Sequence, residues 1–387
     1  MSAGQGDAPE GSLGGLDWRL GGTAGVAVGP TNSIADVAGI RVGHAQRTGD
    51  GWLTGVTVVL AEDGAVGAVD TRGGGTATRE TAALDPTGVV ERVNAVTFTG
   101  GSAFGLESAG GVMRVLRDRG LGFRVGAALD EVVPIVPAAG LFDLGRGGDF
   151  ALFPDAELGA EAAFAALAAP AGVAPAQGAV GAGTGAITGE MKGGVGTASA
   201  VLSNGVVVAA LVVVNADGTT VDPRTGSPWG AFAELPLPGG AGEFGIRTPT
   251  PAEHAAAHAH LAAEAARRPA LRPLNTTLAV VATNAELGKA ELTRLAAAAH
   301  DGMARAVRPV HTLGDGDVVF ALSTAANPLP EPAPGLLPDH VRSDRVNQVL
   351  TAGADVLTRA IVHAILHAET VRTPAALVPS YRELYGQ

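Results

Sequence analysis

Thr276 is the residue of this chain whose setting most invites chemistry. It lies in the run Arg272-Pro273-Leu274-Asn275-Thr276-Thr277-Leu278-Ala279-Val280-Val281. Pro273 fixes φ and biases Arg272 toward an extended backbone, so the approach is stiff and not helical. Leu278, Val280 and Val281 read as a short buried strand. If the bond between Asn275 and Thr276 were broken, Thr276 would carry a hydroxyl nucleophile and a free α-amine on one residue. The amine can then act as base for the hydroxyl. The reading is a chain that cuts itself between Asn275 and Thr276. Taken alone, Asn-Thr-Thr reads first as an ordinary polar entry to a strand.

A second informative run is His311-Thr312-Leu313-Gly314-Asp315-Gly316-Asp317-Val318. If 315–317 is extended as it enters its strand, the carboxylates of Asp315 and Asp317 share one face and Gly316 leaves room on the other. Two carboxylates held close resist double ionisation, and such a pair can hold an ammonium or a hydroxyl. Asp-Gly-Asp is also a simple turn before a strand. Lys192 stands out because 24 of the 26 basic residues are Arg, leaving Lys192 and Lys289 as the lysines. In its glycine-rich loop a compact ammonium suits an anion or a neighbouring pKa, or is merely solvated. Asn215 ends a very apolar strand, where its amide can serve a developing oxyanion or cap the strand end.

Other candidates carry less. Gly181-Ala182-Gly183-Thr184-Gly185 does not match a dinucleotide fingerprint, and Lys192 is followed by glycine and not Ser or Thr, so no phosphate loop is present. His254, His258 and His260 lack a glutamate after His254, and their Ala-rich helix is expected to be solvated and metal-free.

The elements that must position these residues alternate between the two kinds throughout. Residues 1–30, rich in Gly, Ala and Ser, read as a flexible tail. Strands are expected at 55–60, 65–69, 93–98, 197–202, 206–214, 277–283 and 318–323. Helices are expected beyond Ser102 as N-cap, and at 156–169, 251–268, 286–307 and 341–369, with an extended proline-containing stretch at 132–137. Residues 216–250 and 325–338 are loop-like. No repeat of fixed period is present, and the interleaving argues for a layered α/β architecture.

Composition narrows the classes. Hydrophobic residues make up 46% and aromatic residues 4% of 387, so the core is built of Ala, Val and Leu, with 57 Gly allowing close approach of backbones. A net charge of −12, with no basic cluster interleaved with aromatics, argues against nucleic acid or an anionic membrane as partner. Without cysteine there is no disulfide, thiolate metal site or Cys nucleophile. The apolar run 206–214 is about half of what spans a bilayer. No signal-peptide pattern opens the sequence, so a cytoplasmic location is expected.

Together these stretches resemble the P1 family of peptidases (peptidase S58 type). These are N-terminal-nucleophile-like hydrolases that include L-aminopeptidase/D-esterase, β-aminopeptidases and the 6-aminohexanoate-oligomer (nylon oligomer) hydrolase. The resemblance is carried by residues 34–44, Asp70-Thr71-Arg72-Gly73-Gly74, Thr99-Gly100-Gly101-Ser102-Ala103-Phe104-Gly105-Leu106, Val133-Pro134-Ile135-Val136-Pro137, Lys192-Gly193-Gly194, Asn275-Thr276-Thr277 and Asp315-Gly316-Asp317. It implies a four-layered αββα fold made as one inactive precursor. Cleavage would leave an α chain of residues 31–275 behind the tail and a β chain of residues 276–387, the two staying together in one domain. It implies Thr276 as nucleophile and its α-amine as base, with Asn215 in the oxyanion hole and Lys192 near the nucleophile. The Asp315/Asp317 pair looks like that of the nylon oligomer hydrolase.

The implied substrates are small linear amides with amino ends, such as 6-aminohexanoate oligomers and short or β-peptides. No cofactor or metal is implied, and the implied assembly is a tetramer of the two-chain unit. Phe142 stands where many relatives place an active-site tyrosine, which puts substrate preference in doubt. Asn284 replaces a frequent aspartate and is expected to remove a charge near the catalytic strand. An ornithine-acetyltransferase-like acyltransferase and a non-enzymatic small-molecule binding protein remain open.

Overall fold

The run that begins at Thr276 is apolar at nearly every position because both of its faces are buried. Leu278, Val280 and Ala282 enter one core, while Ala279 and Val281 enter another. The computed structural model describes residues 25–266, 274–329, 338–374 and 377–386. Ten strands form the main sheet: β1 Ala27–Val28, β2 Ile40–Gly49, β3 Trp52–Thr71, β4 Ala77–Arg79, β5 Arg92–Thr99, β6 Ala138–Gly140, β7 Gly194–Val201, β8 Val207–Asn215, β9 Thr276–Ala285 and β10 Val318–Asn327. The helices are α1 Ser102–Gly105, α2 Ser108–Arg117, α3 Ala156–Ala168, α4 Pro251–Ala265, α5 Lys289–Ala306, α6 Pro338–Leu366 and α7 Tyr381–Tyr385.

The hydrogen-bonded order is β1-β7-β8-β9-β10-β3-β5-β6-β4, with β2 also on β3. The pivot is β3, a single strand of 20 residues where two short strands at 55–60 and 65–69 are expected from sequence. Its first part pairs with β2 and β5, and its last part, from Val66 to Thr71, pairs with β10. The register with β5 shifts between Leu60 and Ala65, as it does where an irregularity bends a strand. The polar residues Glu62, Asp63 and Gly64 in that stretch read as a break in sequence, yet the backbone carries on through them.

This continuous strand lets one hydrogen-bonded network supply two stacked layers. α5 and α6 cover the outer face of β7 to β10, and the inner faces of β8, β9 and β10 pack on those of β2, β3 and β5. α2 and α3 close the far side, giving the αββα order of layers. Strands from both sides of Asn275 share the sheet: β9 lies between β8 and β10, and β10 pairs with β3. The window 341–366 of α6 is long and apolar enough to cross a membrane by composition, but 83% of its apolar stretch is buried in the helix-side core.

Four sequence expectations change. Ala27 and Val28 belong not to a tail but to an edge strand paired with Val201 and Ala200. Residues 1–24, Arg272 and Pro273, and 330–337 lie outside the described residues. Ser102 is not an N-cap: it is inside α1 with φ of 53°, Gly101 holds the cap position, and a second helix starts at Ser108. Helix α4 is docked rather than fully solvated, with Ala257 buried and His254 stacked on Tyr385. Asn284 is eight residues along β9 from Thr276, about 27 Å at the rise of a strand. There it accepts the Val207 N–H and has no bearing on charge at the strand's start.

Candidate active site

Strand directions bring the sequence candidates together. β9 runs parallel to β10, so both begin at one edge of the sheet, and antiparallel β8 and β3 end there. Asn215, the last residue of β8, pairs with Thr276, the first of β9. Thr71, the last of β3, pairs with Val318, directly after Asp317. Residues 61 and 247 positions apart in sequence therefore meet at one strand edge.

At that edge Asn275 extends the line of β9 against the loop before β10. Its N–H donates to Gly314 O at 3.2 Å, and its own carbonyl accepts the Gly316 N–H at 2.9 Å. Thr276 Oγ1 donates to the same carbonyl at 2.5 Å, which sets the hydroxyl against the group it would attack. Asn275 is 6% and Thr276 4% exposed, so this bond is closed to an external protease.

Asp315 and Asp317 are both buried, and their oxygens organise backbone. Asp317 Oδ1 accepts the Thr277 N–H at 2.7 Å, while Oδ2 accepts both the backbone N–H of His311 and its Nδ1, the latter at 2.8 Å. Asp315 accepts N–H groups from Asp217 and Thr312. Burial, and then the charge of Asp317, push the Asp315 carboxyl above its ordinary value. The glycine loop at the end of β3 clasps this segment: Arg72 and Gly73 N–H groups donate to Asp317 O, and Gly75 N–H to Asp315 O. A Cβ on Gly73 would lie 2.2 Å from Asp317 N, so the clasp admits no side chain there.

Lys192 is fully buried and donates to three carbonyls, Gly183 O, Ala186 O and Gly193 O, at 2.8 to 2.9 Å. An ammonium has three donors, and all are used, so Lys192 acts on the loop and makes no hydrogen bond to Thr276. Burial first, and then the charge of Arg146, lower its pKa to about 7, with Asp143 opposing. The same loop sends the Ile187 N–H to Asn215 Oδ1 at 3.0 Å. Asn215 Nδ2 faces the other way, donating to Phe142 O at 3.3 Å. Phe142 thus meets Asn215 through its backbone carbonyl.

Arg146 is the residue that sequence reasoning missed. Its Nη1 donates to Gly185 O at 2.7 Å and to Asn215 Oδ1, and its Nη2 donates to Asn275 Oδ1 at 3.2 Å. The one signal in sequence is an arginine set among glycines, Gly145-Arg146-Gly147-Gly148, where Gly145 takes φ of 76° to turn the chain. His311 and the Gly316 N–H were missed as well. The first is an ordinary loop residue in sequence, and a backbone donor leaves no trace there.

Residues 32–377 match peptidase family S58. The chain belongs to that family. It is 48% identical over 361 residues to a Mycobacterium tuberculosis protein named an uncharacterized aminopeptidase, covering 92% of this chain and 98% of that one. It is 31% identical over 302 residues to the 6-aminohexanoate-oligomer endohydrolase of a Kocuria species, covering 76% of each. Among solved structures it is similar to a Burkholderia β-aminopeptidase, with 25% identity, TM-score 0.63, 93% of this chain and 96% of that one. It also shares its fold with the L-aminopeptidase D-Ala-esterase/amidase of Ochrobactrum anthropi, described as a variant among the Ntn hydrolase fold. That match has a TM-score of 0.65 at 24% identity, over 93% of this chain and 96% of that one.

This S58 peptidase is a hydrolase of the aminopeptidase/amidase kind. Elsewhere in the S58 chain, His254 is committed to Pro223 O and Tyr385 Oη. Among the described residues no group of three or more His, Asp or Glu is placed to hold a metal ion.

Proposed function

We propose that the chain is a self-cleaving amide hydrolase whose nucleophile is Thr276. In the precursor Thr276 Oγ1 attacks the Asn275 carbonyl carbon, the C–N bond breaks, and the hydroxyl proton passes to the freed nitrogen. The ester so formed is hydrolysed by water, which leaves a carboxylate on Asn275 and restores the hydroxyl. In turnover the freed α-amine takes the hydroxyl proton as Thr276 attacks a substrate amide and passes it to the leaving amine. Water then releases the acyl group.

The observation that carries this reading is the shared Asn275 carbonyl, which meets the Thr276 hydroxyl at 2.5 Å and the Gly316 N–H at 2.9 Å. A backbone donor already aimed at the oxygen that becomes negative is the arrangement that stabilises acyl transfer. Asn215 pairs with Thr276 in register, and its Nδ2 carries a second N–H beyond the one given to Phe142 O, which is the donor an oxyanion role would use. The Asp315/Asp317 pair and Lys192 hold the two loops in place around it.

The substrates proposed are linear amides with a free amino end, 6-aminohexanoate oligomers and short or β-peptides. The activities named for the relatives support that class. The two-chain unit is proposed to associate with itself, for which light scattering of processed protein is the test. The mechanism is tested by intact-mass analysis of purified protein over time. The expected result is conversion to two fragments, the second beginning at residue 276, with amide hydrolysis rising in step. A single uncut chain that hydrolyses amides would refute it.

A further inference from the structure

Self-cleavage and turnover pass through the same kind of ester on Thr276, first with Asn275 as the acyl group and afterwards with the acyl residue of a substrate. One oxygen makes both esters, so the groups that hold Asn275 mark where a substrate's acyl residue lies. Besides the Thr276 hydroxyl, three groups hold it. Gly316 N–H donates to its carbonyl, Gly314 O accepts its N–H at 3.2 Å, and Arg146 Nη2 donates to its side-chain Oδ1 at 3.2 Å.

Resting on the self-cleavage reading above, we propose that Arg146 is a specificity-determining residue of the acyl subsite. Among the short peptides of that reading, it selects amides whose amino-terminal residue carries a short side chain ending in a hydrogen-bond-accepting oxygen, as asparagine does. The contacts divide the work of recognition. Gly314 O takes the N–H of Asn275 and in turnover takes the amino group of the substrate, which suits an aminopeptidase. Arg146 reads the side chain, since a guanidinium presents donors in a rigid fork and accepts nothing.

Arg146 is held in place for this by its contacts to Gly185 O and Asn215 Oδ1. Reading Asn275 therefore requires no movement of its guanidinium. An aliphatic side chain of the same shape forfeits the hydrogen bond, a difference that sites built for hydrogen bonding use to discriminate.

The decisive comparison is between asparaginyl and leucyl p-nitroanilides, whose side chains match in size and branching while the amide oxygen and nitrogen of one are methyl groups in the other. With processed enzyme, kcat/KM is expected to favour the asparaginyl amide by about tenfold or more, the worth of a hydrogen bond to a charged donor. In the precursor, Asn275→Leu should slow self-cleavage by a similar factor, while Asn275→Asp keeps an acceptor and keeps cleaving. This arm reads the same contact without altering Arg146. In Arg146→Gln the asparaginyl-to-leucyl ratio should fall toward one in the activity that remains.

Enzyme that cuts itself and turns over both amides equally, with Asn275→Leu cleaving at the parent rate, overturns the subsite and leaves the mechanism standing. A chain that neither cuts itself nor hydrolyses either amide overturns the self-cleavage reading itself.

Discussion

Gly316 and Thr276 share one small volume. The N–H of Gly316 reaches the Asn275 carbonyl at 2.9 Å, and a Cβ on Gly316 would lie 2.6 Å from Thr276 Oγ1. Glycine is required here for closeness, because its φ is not in the left-handed region. Gly316→Ala must push the hydroxyl or the loop aside by several tenths of an ångström. Misplacement on the scale of 1 Å can cost about 100-fold, so self-cleavage should slow by one to two orders of magnitude, about 10- to 100-fold. Time-resolved mass spectrometry of fresh protein reads this directly, and an alanine variant that cleaves at the parent rate would remove Gly316 from the mechanism.

In the proposed mechanism Thr276 is required twice, for its own release and for turnover. Thr276→Ala should leave the chain intact and inactive, a loss of roughly 10⁶-fold on the scale of removing a nucleophile. Stability should change by no more than about 1 kcal/mol, because the lost hydroxyl and methyl sit at a strand end. Thr276→Ser keeps the oxygen but frees χ1, so it should cleave more slowly and keep partial activity. Intact masses of the two variants and their thermal midpoints check both claims, and a fragment starting at residue 276 from the alanine variant would contradict the first.

Asp317 ties the start of β9 to the loop before β10 by accepting from Thr277 N–H, His311 N–H and His311 Nδ1. An amide in its place has one acceptor oxygen and a donor NH₂, so Asp317→Asn must abandon at least one of these buried donors. The expected cost is about 1–3 kcal/mol of stability, with slower self-cleavage as Thr276 loses its anchored neighbour. Chemical denaturation of precursor trapped with Thr276→Ala separates the two effects, and an unchanged midpoint would show that the anchor is dispensable.

Glu243 gives a pH dependence with a definite sign. Its buried carboxylate is held by Arg359 at 2.5 and 2.7 Å, by His363 at 3.2 Å and by Asn32 at 2.7 Å. Burial alone would raise its pKa, but the hydrogen bonds from His363 and Arg359 outweigh that and bring it from 4.5 down to about 2. A depressed carboxyl contributes stability that is full above its unfolded value and is lost as pH falls through its folded one. The loss attributable to Glu243 thus falls between pH 4.5 and about 2. Glu243→Gln should destabilise the protein near neutrality by about 3–5 kcal/mol, because Arg359 stays buried without its counter-charge, and should flatten the acid limb in that window. Thermal midpoints across pH 2 to 7 measure this, and a parallel acid limb in both proteins would rule out Glu243 as its source.

By sequence alone the chain already declared its layers. Runs such as 206–214 and 277–283, apolar at almost every position, describe strands covered on both faces, and the helices between them repeat at helical spacing. Those patterns are local, because burial on a face is written in the type of every second or every third to fourth residue. The candidates Thr276, Asn215, Asp315 and Asp317 were legible for a similar reason: each sits at the end of such a run, and parallel and antiparallel pairing must bring some ends together.

What needed the tertiary structure is everything that depends on which ends meet and on atoms that sequence does not vary. The passage of β3 through Glu62, Asp63 and Gly64 is a matter of pairing on both sides of the strand. The donation of the Gly316 N–H to Asn275 uses a backbone atom common to nearly all residues. Arg146 reaches Asn215 and Asn275 from 69 and 129 positions away, through the free rotors of a long side chain. Sequence names the groups able to react, but contacts between distant segments are set by the packing of the layers, and only their geometry turns a threonine at a strand end into a hydroxyl pressed against its own peptide bond.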